Sequence, residues 1–272
     1  MNWKNIYRGF IMGTSDLIPG VSGGTIAVIL GIYDELIASI NKLFSKDWAK
    51  QLPFLIPLGI GMGAALKVLS GGMDWLLSHY PEPTYFLFLG LIIGVIPFLF
   101  KEADAANSFQ TKQYVLLVIG IVLIALLLPF KDANEGAAIA ELTTSTYMLL
   151  FVGGFLASAA MILPGISGSM VFLILGLYPT VIGALKYVQF DRIAVIGLGV
   201  VIGIVSMSKI IHYFLKNHRT NTYALIIGSV TGSIIVVFPG FAQDTFSLIL
   251  SIGTFGVGLM IALLLSKIEY KE

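Results

Sequence analysis

The chain has 272 residues, 57% of them hydrophobic and 11% charged, with a formal net charge of +1 and a mean hydropathy of +0.93. Soluble domains carry about 25% charged residues, so this composition describes a polytopic membrane protein with no room for a soluble domain in its loops. The charge balance gives no reason to expect a nucleic-acid partner. The absence of cysteine excludes disulfides and thiolate metal sites.

Taken in order, the chain opens with Lys4 and Arg8 before an apolar run, which imitates a signal peptide. Asp16 and Pro19 interrupt that run and no small-residue cleavage site follows, so the segment is expected to be retained. About twenty mostly apolar residues span a bilayer. Six segments meet that length approximately: 53–70, 85–100, 114–130, 193–212, 223–238 and 246–266. Two longer apolar stretches, 6–40 and 147–185, are each cut by a Pro-Gly break. The order is broken segment, three helices, broken segment, three helices. The three histidines (His79, His212, His218) stand at no i, i+4 spacing, and neither a metal nor another cofactor is expected.

The two breaks carry one motif. Residues 19–33 read PGVSGGTIAVILGIY and residues 164–178 read PGISGSMVFLILGLY, with eight of fifteen positions identical. The likeness continues: Gly59 and Gly63 match Gly199 and Gly203, and Thr84-Tyr85 with Gly90 and Gly94 matches Thr222-Tyr223 with Gly228 and Gly232. The Ala-Leu-Leu-Leu of 125–128 recurs at 262–265. The fold expected is all-α and built from two repeats. Residues 1–135 form the first, with a re-entrant hairpin at 6–40. Residues 146–272 form the second, with a hairpin at 147–185, and 136–145 is the linker.

Basic residues collect on the cytoplasmic side of membrane proteins. With both broken segments as hairpins, twelve of the sixteen Lys and Arg fall on that side, leaving Lys67, Lys131, Lys186 and Arg192 outside; single crossings split them nine to seven. The hairpin reading puts both termini in the cytoplasm of a multi-pass cell-membrane protein. Three crossings per repeat then invert the second half, so that the two Pro-Gly-x-Ser-Gly tips meet near mid-membrane. Irregular backbone at that depth must be buried or line a wet cavity, and paired interruptions of this kind point to a transporter's binding site.

Proline ends the first half-helix and glycine permits the reversal. The next half-helix begins with N–H groups that lack intrahelical partners and carry the positive end of a dipole. Ser22, Gly23, Gly24 and Thr25, and Ser167, Gly168 and Ser169, are therefore expected to form two anion cradles. The plainer alternative is that Ser22 and Ser167 only cap their helices. Asp16 is an intramembrane carboxylate, the kind of group that marks function; its counterpart is Met161. It is read as a protonatable coupling group, with a counter-ion role toward Arg8 as the alternative. Lys67 and Lys209 fall at related places in the two repeats; with Arg8 they are candidates for drawing an anionic headgroup inward, although snorkelling to the interface explains both lysines.

The run Asp16-Leu-Ile-Pro-Gly-Val-Ser-Gly-Gly-Thr25, with Leu163-Pro-Gly-Ile-Ser-Gly-Ser169, resembles the bacterial and archaeal family named for its member PopT, formerly a domain of unknown function. The resemblance covers nearly the whole chain. It implies a polyprenyl-phosphate transporter that returns undecaprenyl phosphate, the carrier lipid of peptidoglycan and other envelope polymers, to the cytoplasmic leaflet. The residues alone imply a small or lipidic anion; the prenyl chain comes from the resemblance. The motif is also similar to the Pro-Gly-x-Ser-Arg-Ser-Gly stretch of integral undecaprenyl-pyrophosphate phosphatases. Gly23 and Gly168 stand where that family has arginine, which removes its main aid to phosphoryl transfer and favours a non-enzyme. An anion channel or exchanger is the other alternative.

Overall fold

A computed structural model describes residues 3–16, 22–43, 45–130, 139, 143–241 and 244–269. The Pro19-Gly20-Val21 break and most of the 136–145 linker lie outside them. The described residues fold into helices without strands: α1 Lys4–Asp16, α2 Gly23–Ile29, α3 Tyr33–Lys42, α4 Trp48–His79, α5 Pro81–Glu102, α6 Ala105–Ser108, α7 Thr111–Ala125, α8 Thr144–Ile162, α9 Gly168–Ile174, α10 Tyr178–Lys186, α11 Phe190–Asn217, α12 Arg219–Val237 and α13 Thr245–Glu269.

Among the described residues, seven helices are long and apolar enough to cross a membrane. Six are the expected crossings. The seventh is α8, the first arm of the second broken segment, with 19 residues against 13 in α1. At 1.5 Å per residue α8 has the length of a crossing, a difference between the two segments that their shared motif does not announce.

Four helix pairs organise the bundle: α1 with α4, α8 with α11, α5 with α13, and α7 with α12. Each is a glycine-to-backbone contact made in both directions. A Cβ on Gly9 would strike the Leu58 carbonyl, and one on Gly61 the Ile6 carbonyl; Gly154 and Gly199 stand likewise against Ile196 and Phe151. Gly90 and Gly258 do the same for α5 and α13, and Gly120 and Gly228 for α7 and α12. Membrane helices lack a hydrophobic drive toward one another, so small residues that admit close backbones determine which surfaces pair.

These contacts correct the repeat alignment. Ile6 meets Gly61 and Phe151 meets Gly199, so the partner of Gly199 is Gly61, not Gly59. Gly59 and Gly63 have nothing within 4 Å, and glycines two residues apart on one helix face different directions. The same register pairs Ala65 with Gly203, and Ile124 with Ala262, because Gly94 packs on Ala262 as Gly232 packs on Ile124. The Ala-Leu-Leu-Leu match is therefore displaced by one residue. Lys67 and Lys209 also cease to be equivalent: their counterparts are Val205 and Gly71.

The main core lies around α2, whose Ile26 and Ile29, with Leu30 just beyond, pack with Ile92 and Val95 of α5 and Ile227 and Val230 of α12. Ionic ties are few. Arg219 of α12 reaches Asp34 of α3 (3.2 Å) and Glu102 of α5 (2.8 Å), and the Tyr223 hydroxyl donates to Asp34 (3.2 Å). The outer faces of α7 and α13 present Val118, Leu123, Ile249 and Met260 to their surroundings, as lipid contact requires.

Candidate functional site

The two copies of the motif build the same local object. Isoleucine and valine in α2 are mediocre helix formers, and seven residues are too few to hold a helix alone. Caps and burial supply what propensity lacks. Ser22 sits in extended backbone and its Oγ accepts from the Thr25 N–H at 3.2 Å, as an N-cap should. At the other end Gly31 takes φ +65°; its N–H donates to the Val28 carbonyl (3.0 Å) and that of Ile32 to Ala27 (3.0 Å). That is a Schellman stop. α9 ends identically, with Gly176 at φ +67° and bonds from Gly176 to Leu173 (2.9 Å) and from Leu177 to Phe172 (2.8 Å). The repeated Leu-Gly-x-Tyr is thus a helix stop, a role its sequence had not been assigned.

The tips touch. The Gly165 N–H donates to Thr25 Oγ1 at 2.8 Å, and Thr25 Oγ1 also pairs with Ser22 Oγ at 3.0 Å. The Tyr33 hydroxyl donates to the Ile162 carbonyl at 3.1 Å. Gly24 faces the Met161 and Ile162 carbonyls, which a Cβ would approach to 3.0 and 3.1 Å. Gly165 is held at φ +94°, with the Ser229 carbonyl 2.6 Å from where a Cβ would lie. Only glycine suits that position.

Their polar groups are used differently. Asp16 Oδ1 accepts the Gly23 N–H at 2.7 Å, so the first cradle already holds an anion, one supplied by its own chain. Ser22 is buried and committed to its cap. At the second tip Met161 stands where Asp16 does: a Cβ on Gly168 would lie 3.6 Å from the Met161 thioether. Ser167 makes no side-chain cap; its hydroxyl pairs with that of Ser169 at 2.6 Å. All seven residues of α2 are buried, whereas in α9 only Met170 is.

The other expected site residues do not join the tips. Arg8 is buried between α1 and α4, donating to Asn5 Oδ1 at 3.0 Å, while Asn5 Nδ2 donates to the Phe54 carbonyl at 3.1 Å. It lies two helical turns, about 12 Å, below Asp16, and the carboxylate's close partner is Gly23. Lys67 and Lys209 are exposed on the outsides of α4 and α11.

Two cavities flank the tips. A 250 Å³ cavity between α1, α3 and α4 reaches Asp16, Gly23 and Gly24 and is otherwise apolar; Gly59 opens its wall. A 530 Å³ cavity between α7, α11 and α12 ends inward at Leu163, Pro164 and Ser229 and outward at Lys112, His218 and Asn221. Tyr33 borders both, so its bond to Ile162 lies in the wall between them. The sequence did offer a signal for Tyr33, identical in both motif copies; none singled out Lys112, His218 or Ser229.

Comparison with known proteins finds relatives along nearly the whole chain. A polyprenyl-phosphate transporter of Staphylococcus aureus is 43% identical over 274 residues, covering 98% of this chain and 96% of its own. A polyprenyl-phosphate transporter of Vibrio cholerae is 32% identical over 253 residues, 88% of this chain and 79% of its own. An undecaprenyl-diphosphatase of Lachnoclostridium phytofermentans is more distant, 25% identical over 245 residues, 86% of this chain and 84% of its own. No solved structure matches significantly. Residues 12–252 match the VCA0040-like family, described as undecaprenyl phosphate translocase-like, and the chain belongs to that family.

Proposed function

We propose that this protein moves a polyprenyl phosphate, undecaprenyl phosphate in the cell, from the outer to the cytoplasmic leaflet of the cell membrane and does not cleave it. The observation that carries the reading is the contact of the two tips, Gly165 to Thr25, beside cavities that run outward from it. A lipid phosphate needs a polar station at mid-membrane and an apolar path for its chain, and this arrangement supplies both. The names of the Staphylococcus and Vibrio relatives support the substrate class.

In this reading the halves are inverted repeats with re-entrant hairpins and cytoplasmic termini. The reciprocal helix pairs support the repeat: α5 with α13 mirrors α12 with α7. The phosphate docks at Ser167, Gly168 and Ser169, where no carboxylate competes, and the halves rock to expose that site to one leaflet and then the other. Asp16 is the coupling group. While ionised it occupies the Gly23 N–H; protonation frees that N–H and lets the first tip close on the phosphate. Proton uptake also offsets the membrane potential, which opposes inward movement of an anion by about 2.3 kcal/mol per charge per 100 mV.

The distant diphosphatase relative is the observation that favours a second reading, an enzyme. Against it, glycine stands at 23 and 168, where the resembling phosphatase motif places arginine, and phosphoryl transfer depends on such donors. Leaflet exchange of a fluorescent short-chain prenyl phosphate in proteoliposomes tests the tip site. Ser167→Ala combined with Ser169→Ala is expected to slow exchange by about tenfold or more at unchanged melting temperature. Full exchange by that double variant overturns the assignment.

A further inference from the structure

The two cavities beside the tips differ in sign. The smaller one has Asp16 as its charged residue and no cation, an environment that repels phosphate. The larger one has Lys112 and His218 at its outer end and no carboxylate in its wall. Between that end and the second tip its walls are Ile210, Ile211, Phe214 and Leu225. The outer end is fastened: Gln113 Nε2 donates to Asn221 Oδ1 at 2.9 Å, tying α7 to α12, and Thr222 Oγ1 donates to the His218 carbonyl at 2.9 Å. The inner end is the second break itself, because Ser229, which lines it, is the residue whose carbonyl presses on Gly165.

We infer that this 530 Å³ cavity is a second docking station for a prenyl monophosphate, resting on the transport reading above. Lys112 and His218 hold the phosphate at the membrane interface, Lys112 as a point charge and His218 as a ring N–H donor. The apolar walls take the first isoprenoid units. The volume falls in the range of about 300–1,000 Å³ that encloses a small ligand, so it accommodates the head and the start of the chain and leaves the remainder in lipid. The phosphate then passes between this station and Ser167 and Ser169 along one continuous wall of α11 and α12, without crossing the Asp16 cavity.

The test uses the full-length protein in nanodiscs and farnesyl phosphate bearing a diazirine on its first isoprene unit. Illumination should label the cavity wall within residues 207–229, and Lys112→Ala with His218→Ala should weaken binding by about tenfold. Lys112→Arg should retain binding. Farnesol should fail to compete. Inorganic phosphate should compete only weakly, since it lacks the chain. Labelling elsewhere, or unchanged affinity in the double variant, overturns the station while leaving transport intact. Equal competition by farnesol shows that the phosphate is not read, and equal competition by inorganic phosphate makes it a free-anion site; either outcome also overturns the station. A wild-type protein that neither binds nor exchanges the probe removes the transport reading itself. Both side chains are exposed, so the double variant keeps its fold, and labelling of the wild type needs no variant.

Discussion

The two broken segments are near copies in sequence and unequal in use. Both begin with a serine cap position, run seven helical residues and stop on a left-handed glycine. The first is wholly buried, its serine committed to a cap and its first N–H held by Asp16. The second is half-buried, its two serine hydroxyls paired with each other and Met161 in place of the carboxylate. A duplicated motif therefore gives two scaffolds, one with the protein's own carboxylate on its first N–H and one without, the second being the docking site in the proposed function. Aspartate against methionine, Gly24 against Ser169 and Thr25 against Met170 distinguish them.

The largest expected effect is at the contact between the tips. Gly165→Ala meets both a left-handed backbone and the Ser229 carbonyl, costing about 3 kcal/mol and lowering the melting temperature. Gly176→Ala, at the left-handed glycine that stops α9, has nothing within 4 Å of an added Cβ and should cost about 1 kcal/mol, as should the change at its motif equivalent, Gly31→Ala. Equal effects at 165 and 176 would mean that α12 does not bear on the second break through Ser229.

Next is an exchange of roles. Met161→Asp gives the second tip its own carboxylate beside Gly168, and leaflet exchange should fall by about tenfold or more. Asp16→Asn should make exchange insensitive to pH, where the wild type accelerates as pH falls through the titration of that carboxylate. The sign follows from the proposed cycle: the carboxylate holds the Gly23 N–H, and protonation weakens that charge-assisted bond. Unchanged pH dependence in Asp16→Asn would remove the coupling role.

Smaller still is Thr25→Val, which leaves the buried Gly165 N–H without its acceptor and should cost about 1–2 kcal/mol. The mildest is Arg219→Ala. Its ion pairs are partly exposed, so the loss should stay below about 1 kcal/mol. Thermal unfolding in detergent measures both, and a larger loss at Arg219 than at Thr25 would mean that the halves are held at their ends and not at their tips.

Much of this was legible in the chain. Apolar length located six helices long and apolar enough to cross, and the doubled motif located the two short helices α2 and α9, because hydropathy and glycine act locally. What escaped was set by distance or by register. Glycines four apart match a repeat in more than one way, and only the carbonyls they face decide that Gly61, not Gly59, answers to Gly199. The bond from Gly23 to Asp16 spans the break, so the reading that made Gly23 part of an open cradle overlooked the anion already beside it. Lys112, His218 and Ser229 come together only when α7, α11 and α12 pack, and no spacing along the chain records that. Conversely, Lys67 and Lys209 attracted notice as isolated charges in apolar sequence, yet both face outward from the bundle.

The most direct test of lipid-phosphate transport follows two quantities in the same proteoliposomes: leaflet exchange of a fluorescent short-chain prenyl phosphate, and release of free phosphate. Exchange without release is the expected result. Release of phosphate would contradict it in favour of a phosphatase, and the absence of both, with chloride flux present, would contradict it in favour of an anion channel.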